Sequence, residues 1–351
     1  MASRAVVTRL AFAGAGRISA VHGLAAQVLG VPVDLVASRH PTRAAERAAQ
    51  LGARAVGYDD LPGGADVVVV STPPARHAAD ALAAVRAGAG AIVEKPLATT
   101  LAAADELVAA DDAAGGGRVG YAENLAFSPL VLRACSIARS IGPLRHVEAR
   151  MLQGRPDWGD FLTEGWGGGV LFDLGAHPLA LVLLLADAGP GGTDHVERVR
   201  GRLEGEADVP VDTYAEVTLT FASGLHARVE TSWRDRTEVV DLQAASDDGV
   251  VRAELLPTLG LEHNGVGLSL PPPRPGLVDD RLDRFGYVQQ LDDLLADLDD
   301  RRAPEVGARF GRAVLELTCA AYASAGTDSS EVAIPFEGRR DATPLELWRG
   351  G

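Results

Sequence analysis

The stretch Phe12-Ala13-Gly14-Ala15-Gly16-Arg17-Ile18-Ser19 decides the fold of this chain. An apolar run over residues 6–13 leads into it and predicts a buried strand, and the segment 19–29 that follows predicts a helix. A glycine-rich turn between a strand and a helix is typical of a dinucleotide site, because the start of the helix offers unpaired N–H groups to a phosphate. Gly14 permits the tight turn, and Gly16 lets the backbone approach a pyrophosphate.

The rest of the turn supports the same interpretation. Arg17 and Ile18 complete it, and we assign both to the cofactor site with the two glycines. Ser19 stands where the fingerprint usually has a third glycine. Its small side chain permits close packing of helix on strand, and its hydroxyl can cap the helix.

The strand–helix alternation continues to about residue 121. Further strands are predicted over residues 33–37, 65–70, 91–93 and 118–121, and helices over 41–51, 76–87 and 101–114. This order predicts a parallel, doubly wound sheet with right-handed crossovers. From residue 144 the apolar residues alternate instead, with hairpins predicted over 214–230 and 239–255 and helices over 282–298 and 306–323. The chain is therefore of the α/β class, with an antiparallel sheet in its second half.

Composition limits the other possibilities. The 351 residues exceed one ordinary core, so we expect two domains that meet between Gly120 and Pro129. The formal charge of -15 argues against a nucleic-acid partner, which needs a basic face. Two cysteines without a CxxC motif fit a reducing cytoplasm, so we expect a cytoplasmic protein. The apolar run over residues 182–185 is too short to span a membrane.

The end of the second predicted strand bears on the choice of cofactor. An NAD site usually has a carboxylate there for the ribose hydroxyls, whereas this chain has Ser38 and Arg39. A hydroxyl and a guanidinium suit a 2′-phosphate, so we predict that NADP is preferred over NAD. A solvated loop with an incidental arginine is the alternative.

Lys95 follows the strand predicted over residues 91–93, between Glu94 and Pro96. Open parallel sheets bind ligands at the carboxyl ends of their strands. A lysine at that edge can donate a hydrogen bond to a substrate oxygen and stabilise negative charge on it. A surface lysine at a turn is the alternative for this residue considered alone.

Asp173 and His177 are the second candidate pair. Their spacing of four residues predicts one helical face, and Gly167-Gly168-Gly169 just before them can bring the backbone close to a ligand. His177 can exchange a proton near neutral pH, and Asp173 can orient the imidazole or bind a substrate hydroxyl. A helix-terminal carboxylate beside a structural histidine is the alternative. Without further clustered ligands the pair does not predict a metal site.

Four segments occur in one order along the chain: Gly14-Ala15-Gly16-Arg17-Ile18, Val68-Val69-Val70-Ser71-Thr72-Pro73-Pro74-Ala75-Arg76-His77, Val93-Glu94-Lys95-Pro96-Leu97-Ala98, and Gly167-Gly168-Gly169-Val170-Leu171-Phe172-Asp173-Leu174-Gly175-Ala176-His177. With them the sequence resembles the Gfo/Idh/MocA family of NAD(P)-dependent oxidoreductases over nearly its whole length. The third and fourth segments are specific when they occur together in this order.

The resemblance implies an N-terminal Rossmann domain, residues 1–122, and a C-terminal α+β domain, residues 123–351, with a large, mostly antiparallel open sheet. That sheet commonly forms the oligomer interface in the family, so a homo-oligomer is expected. The resemblance also implies that Lys95 contacts the reacting substrate oxygen, that His177 is the acid/base, and that Asp173 assists it. The other implied positions line the cofactor or lie beside the substrate: Ser71, Thr72, Pro73, His77, Glu94 and Asn124.

We therefore predict an NADP(H)-dependent oxidoreductase that moves a hydride to or from a small polyhydroxylated substrate, a sugar or a cyclitol. Reduction of an imine or a non-sugar carbonyl is the second hypothesis. Trp158, Phe161 and Trp166 would then line a more apolar pocket, with Trp158 beside the substrate, although the three can equally form a domain interface. A non-catalytic NADP-binding sensor is the third hypothesis.

Overall fold

The computed structural model describes residues 8–270, 272–275, 277 and 279–350. The first two residues of the strand predicted over 6–13 lie outside these ranges. The elements in chain order are β1 (Leu10–Ala13), α1 (Arg17–Leu29), β2 (Val33–Ala37), α2 (Pro41–Leu51), β3 (Arg54–Val56), β4 (Val67–Val70), α3 (Pro74–Arg86), β5 (Gly90–Glu94), α4 (Leu101–Ala113), β6 (Val119–Ala122), α5 (Pro129–Ser140), β7 (Leu144–Gly154), α6 (Val170–Asp173), α7 (Ala176–Leu185), β8 (Val196–Glu206), β9 (Val209–Phe221), β10 (His226–Ser232), β11 (Arg234–Ser246), β12 (Val250–Leu256), β13 (Gly260–His263), β14 (Val266–Gly267), α8 (Arg281–Arg284), α9 (Tyr287–Asp299), α10 (Ala308–Gly326), β15 (Val332–Ala333) and α11 (Pro344–Trp348).

The first sheet has six strands in the order β3-β2-β1-β4-β5-β6, and every neighbouring pair is parallel. Strands β1, β4 and β5 are buried along their whole length, as their continuous apolar sequences predict. The chain order reverses between β1 and β4, which is where open sheets of this kind bind ligands. Because the strands are parallel, the residues that follow β1, β4, β5 and β6 meet at one edge. The predicted doubly wound sheet is confirmed.

The second sheet has nine strands in the order β14-β13-β12-β11-β7-β10-β9-β8-β15. All neighbours are antiparallel except β7 and β10. Both predicted hairpins are confirmed, β9 with β10 and β11 with β12. Helices α5, α7 and α10 pack against this sheet. The expected mostly antiparallel open sheet is therefore present.

The end of the chain returns to the first sheet. Helix α9 packs against α1, and α10 packs against α4. Tyr121 N–H in β6 donates a hydrogen bond to the carbonyl of Val306 (2.9 Å), and Gly120 forms a β-bridge with Gly307. The buried apolar residues form one continuous core through both sheets. The site at the edge of the first sheet is thus held from both halves of the chain.

Two predicted helices differ from the structure. The helix predicted over 282–298 is two helices, α8 and α9, because Gly286 between them has a φ of +80°. The side chains of Asn124 and Ser128 bond to carbonyls just before this break (2.8 and 2.7 Å), so the chain bends where it docks on the turn after β6. Helix α1 begins at Arg17, with Gly16 and not Ser19 at its cap position. The short strand β3 and helix α5 were not predicted.

The segment with the predicted Asp/His pair is also bent. Residues Glu164–Asp173 and Ala176–Leu185 form two helical stretches at an angle of 42°. Among the described residues no single helix is long and apolar enough to cross a bilayer. The two parts of this bent pair are long and apolar enough only when they are counted together.

Candidate active site

The glycine turn after β1 has the form of a phosphate cradle. Gly14 has a φ of +117°, and a Cβ atom added to it would lie 2.5 Å from the carbonyl oxygen of Ser71, so the protein itself requires glycine there. Gly16 differs, because its φ is -80° and an added Cβ would meet nothing within 4 Å. The space above Gly16 and the uncapped, acid-free first turn of α1 fit an anionic group of a dinucleotide.

Ser19 and Arg17 stabilise the cradle in different ways. The Ser19 hydroxyl donates to the carbonyl of Gly16 (2.7 Å), so it closes the turn instead of capping the helix. The guanidinium of Arg17 lies over the Trp158 ring, 4.5 Å from its centroid, and Ile18 is half-buried beside it. Trp158 also packs edge-on against Phe161 (4.7 Å). The structure therefore places Trp158 on the nucleotide turn, whereas we predicted it beside the substrate.

The end of β2 carries the residues that we assigned to a 2′-phosphate. The Ser38 hydroxyl accepts a hydrogen bond from the N–H of His40 (3.2 Å), and the Arg39 side chain is 65% exposed, with Asp160 at 3.9 Å. Arg47 on α2, which the sequence analysis missed, donates to the Gly16 carbonyl (3.3 Å). Its Nε is buried without a partner among the described residues, and burial lowers the pKa of this guanidinium. Arg47 thus contacts the cradle directly.

The segment after β4 contributes mainly to structure. The Ser71 hydroxyl donates to the carbonyl of Ala13 (3.3 Å) below the cradle, and the Thr72 hydroxyl donates to Asp80 (2.8 Å). The ring nitrogens of His77 each lie 2.7 Å from a backbone oxygen, one of Thr72 and one of Pro96. Burial lowers the pKa of His77. His77 was predicted to line the cofactor, but both its polar atoms are occupied inside the protein. Pro73, which precedes α3, is exposed.

Lys95 and Asp173 form a nearly buried ion pair between the two halves of the chain. The Lys95 Nζ donates to the Asp173 carboxylate (2.8 Å) and to its backbone carbonyl (3.0 Å). The side chains are only 17% and 10% exposed. Burial alone would lower the pKa of Lys95, but the charge and hydrogen bond of Asp173 outweigh it and raise that pKa above its usual range. Lys95 is therefore held as an ammonium with one N–H left for a ligand.

Glu94 is paired on the other side of Lys95. Its Oε1 lies 2.7 Å from Nε2 of His22, and its Oε2 accepts a hydrogen bond from the Lys95 N–H (3.1 Å). Burial would raise the pKa of Glu94, but the hydrogen bond and charge of His22, with Lys95 and His77, lower it overall. His22 lies in α1 and is fully buried, so this pair joins the nucleotide helix to the lysine loop. The sequence alone predicted no role for His22.

His177 is held by Glu123 and not by Asp173. The Nδ1 atom of His177 lies 2.6 Å from Oε1 of Glu123, and the two side chains are 8% and 0% exposed. Of the two roles predicted for Asp173, orienting the imidazole falls to Glu123 instead, because the Asp173 carboxylate is bonded to Lys95 and His177 Nδ1 to Glu123. Glu123 was missed, although a carboxylate directly after a parallel strand is a signal that could have found it.

The glycines before α6 make room for the protein itself. A Cβ at Gly169 would collide with the backbone of Asp212, whose carboxylate accepts hydrogen bonds from the N–H groups of Gly169 and Leu171 (2.9 Å each). The Tyr322 hydroxyl donates to the same carboxylate (2.6 Å). Asp212 therefore fixes the start of the helix that carries Asp173. These glycines were predicted to bring the backbone close to a ligand; in the structure Gly169 brings it close to Asp212 instead.

Asn124 lies next to Glu123 in the turn after β6. Its side-chain amide donates to the carbonyl of Phe285 (2.8 Å) and is 6% exposed, so the donor that we expected near the substrate is engaged in packing. Tyr287 at the start of α9 faces the same region. Burial, with the charges of Glu94 and Glu123, raises its pKa well above the usual range.

The site thus consists of three acid–base pairs, Lys95 with Asp173, His22 with Glu94, and His177 with Glu123. They occupy the carboxyl edge of the parallel sheet, next to the cradle. Lys95 binds Asp173 in the segment that carries His177, and the charge of Glu123, the partner of His177, helps to raise the pKa of Lys95. A fixed ammonium can stabilise an alkoxide, and an imidazole can move a proton.

Comparison with known proteins assigns the chain. The profile of the oxidoreductase family with an NAD-binding Rossmann fold matches residues 8–119, and the profile of the GFO/IDH/MocA C-terminal domain matches residues 132–252. The chain belongs to the Gfo/Idh/MocA family. This Gfo/Idh/MocA protein is an oxidoreductase with a domain for a nicotinamide dinucleotide.

Individual relatives agree with this assignment. A protein of Amycolatopsis mediterranei named as an oxidoreductase subunit of UDP-kanosamine synthase is 28% identical over 301 residues, 77% of this chain and 81% of that protein. GenD2 from gentamicin A biosynthesis, solved with NAD, shares the fold with a TM-score of 0.80 at 24% identity, over 93% of this chain and 96% of that one. WlbA of Bordetella pertussis, solved with NADH and UDP-GlcNAcA, has a TM-score of 0.79 at 22% identity, over 94% and 98%.

Proposed function

We propose that this oxidoreductase uses NADP(H) to transfer a hydride between the nicotinamide and a carbonyl or hydroxyl carbon of a small polyhydroxylated substrate, a sugar, a sugar derivative or a cyclitol. The observation that carries the proposal is the cluster of Lys95, Asp173, Glu123 and His177 at the sheet edge beside the cradle. A sensor has no need of a fixed ammonium next to a proton-exchanging imidazole, which favours an enzyme.

The chain's own residues supply position and charge. A bound nicotinamide dinucleotide supplies the hydride chemistry. Lys95 donates its free N–H to the substrate oxygen and stabilises the negative charge that develops there during reduction. Asp173 keeps Lys95 charged and aimed, and His177 delivers a proton to that oxygen, or removes it in the reverse direction.

Ser38, Arg39 and Arg47 support the preference for NADP. No carboxylate follows β2, and the exposed guanidinium of Arg39 is available for a 2′-phosphate. We expect kcat/KM to be higher with NADPH than with NADH, and Arg39→Ala to lower it about tenfold or more for NADPH alone. Arg43→Ala, which removes an exposed arginine of the following helix α2, is the matched control. Equal use of both cofactors would refute the preference.

Sugars are the substrates to test first. The relative from Amycolatopsis is named for a nucleotide-linked amino sugar, so nucleotide-linked sugars, free sugars and inositols belong on one panel. Imines and apolar ketones on the same panel test the alternative chemistry. Trp158 packs on Arg17 in this structure, so it does not favour an apolar pocket. Turnover of imines with none of sugars would overturn the substrate class.

We propose that residues 1–122 hold the cofactor and that residues 123–351 supply the substrate side and a subunit interface. Cross-strand ion pairs cover the face of the second sheet opposite the helices, with Arg228 bonded to Glu148 (2.6 Å) and Glu216 (2.6 Å). Such a self-complementary charged face suits a second copy of the chain. Light scattering should give a dimer or tetramer mass that falls after Arg228→Glu, whereas a monomeric wild type would contradict the interface.

A further inference from the structure

We propose that Glu123 is the positioning residue for His177: it fixes the imidazole as the Nδ1–H tautomer and leaves Nε2 to exchange the proton. The consequence for catalysis rests on the proposed function, whereas the positioning itself does not. Asp173, the residue four positions away, serves Lys95 instead. The ammonium of Lys95 and the imidazole of His177 are therefore held by separate carboxylates, Asp173 and Glu123.

The geometry of Glu123 is fixed from several sides. It follows β6 directly, and its N–H donates to the carbonyl of Tyr121 (2.9 Å). Its Oε1 accepts a hydrogen bond from the N–H of Leu125 (3.3 Å) and lies 2.6 Å from Nδ1 of His177. With 0% exposure, the carboxylate has no solvent to turn towards. An acceptor that cannot rotate away holds the ring at one orientation.

The chemistry of the pair follows from these contacts. A carboxylate accepts hydrogen bonds and donates none, so the proton of a neutral His177 ring must lie on Nδ1. The lone pair on Nε2 is then free to take a proton, and the carboxylate stabilises the imidazolium that results. Other titratable groups influenced by Glu123 are Lys95 after β5, Tyr121 in β6 and Tyr287 in α9. Among the described residues, Oε2 of Glu123 has no hydrogen-bond partner.

The test reads the ring of His177 directly in the full-length protein. The ring nitrogens of ¹⁵N-labelled histidine are observed by NMR, and His177→Gln identifies the signal among the eight histidines. In wild type we expect the Nδ1–H tautomer in the neutral form. The Nε2–H tautomer would overturn the proposal without any variant of Glu123.

Glu123→Gln keeps the shape and removes the charge. We expect the ring to lose its single Nδ1–H tautomer, because the amide can turn either its oxygen or its NH₂ group towards Nδ1, and kcat to fall roughly a hundredfold with little change in KM. Glu123→Asp, which keeps the carboxylate, should restore part of both the tautomer and kcat. Asp173→Asn, the contrasting variant, should leave the tautomer unchanged.

An unchanged Nδ1–H tautomer of His177 in folded Glu123→Gln would reduce Glu123 to a packing residue and overturn the proposal. The NMR result does not depend on turnover. If wild type turned over no carbonyl, alcohol or imine substrate while the ring behaved as expected, the proposed function would fail and the role of Glu123 would stand.

Discussion

Removal of the Lys95 ammonium is the perturbation whose magnitude the structure defines best. Lys95→Met keeps the length and apolar stem of the side chain. It leaves the Asp173 carboxylate, 10% exposed, without its charge partner and without the hydrogen bond of 2.8 Å. The carboxylates of Glu94 and Glu123 also lose the nearby cation. Loss of one partner of a buried pair costs about 3–5 kcal/mol, and the residual exposure of Lys95 places this case near 3 kcal/mol.

A double-mutant cycle separates the pair from its surroundings. Asp173→Asn in the Lys95→Met background removes the stranded charge, so the double variant should recover about 2 kcal/mol of the loss. The free energy of unfolding is measured with urea, with tryptophan fluorescence as the signal. Effects of the two single changes that add to within about 0.5 kcal/mol would refute the coupling.

The pH dependence has a defined sign. Because the pKa of Lys95 is raised in the folded protein, the pair stabilises at any pH below the lysine's ordinary value and loses this contribution only as the pH rises through the raised value. The contribution of Lys95 to the free energy of unfolding of the wild type should therefore stay constant between pH 6 and 9. In Lys95→Met, protonation of the stranded carboxylate should reduce the deficit as the pH falls.

Three further results are expected. Asp212→Ala removes the acceptor of three hydrogen bonds (2.9, 2.9 and 2.6 Å): the Leu171 N–H loses its partner, whereas the Gly169 N–H keeps the Tyr322 hydroxyl (2.9 Å). The free energy of unfolding in urea should fall by about 2–3 kcal/mol, and a loss below 1 kcal/mol would contradict the anchoring role of Asp212. Gly14→Ala should lower the Tm, whereas Gly16→Ala should leave the Tm unchanged. Gly16→Ala should instead weaken dinucleotide binding about tenfold. Calorimetry that gives the same affinity for Gly16→Ala and wild type would argue against the cradle. Burial raises the pKa of Asp111 to about 6. The free energy of unfolding of the wild type should therefore fall by about 1–2 kcal/mol as the pH rises from 4 to 6, whereas that of Asp111→Asn should lack this fall. Identical pH dependence of unfolding in the two proteins would refute this.

The parallel sheet and the hairpins could be predicted from sequence because their signals are local. A buried strand reads as a continuous apolar run, such as β4, and a half-buried strand such as β9 alternates. The order of the strands follows from known rules for crossovers. Lys95 could be placed for the same reason, since it directly follows a strand.

The partners within the site could not be predicted, because they depend on contacts between distant segments. His22 pairs with Glu94 across 72 residues, and Glu123 pairs with His177 across 54. Regular helical spacing favoured Asp173 as the partner of His177, but the bend between α6 and α7 removes that regularity. The start of α6 in turn depends on Asp212, which lies two strands further along the chain. A spacing rule holds only while one helix continues.

The most direct test of the central claim is a crystal structure of this chain with NADP⁺ bound. We expect the pyrophosphate above Gly16 at the start of α1, and the nicotinamide ring facing the space between Lys95 Nζ and His177 Nε2. A ring that lies away from both side chains, or a dinucleotide bound elsewhere on the molecule, would contradict the assignment of these residues to hydride transfer.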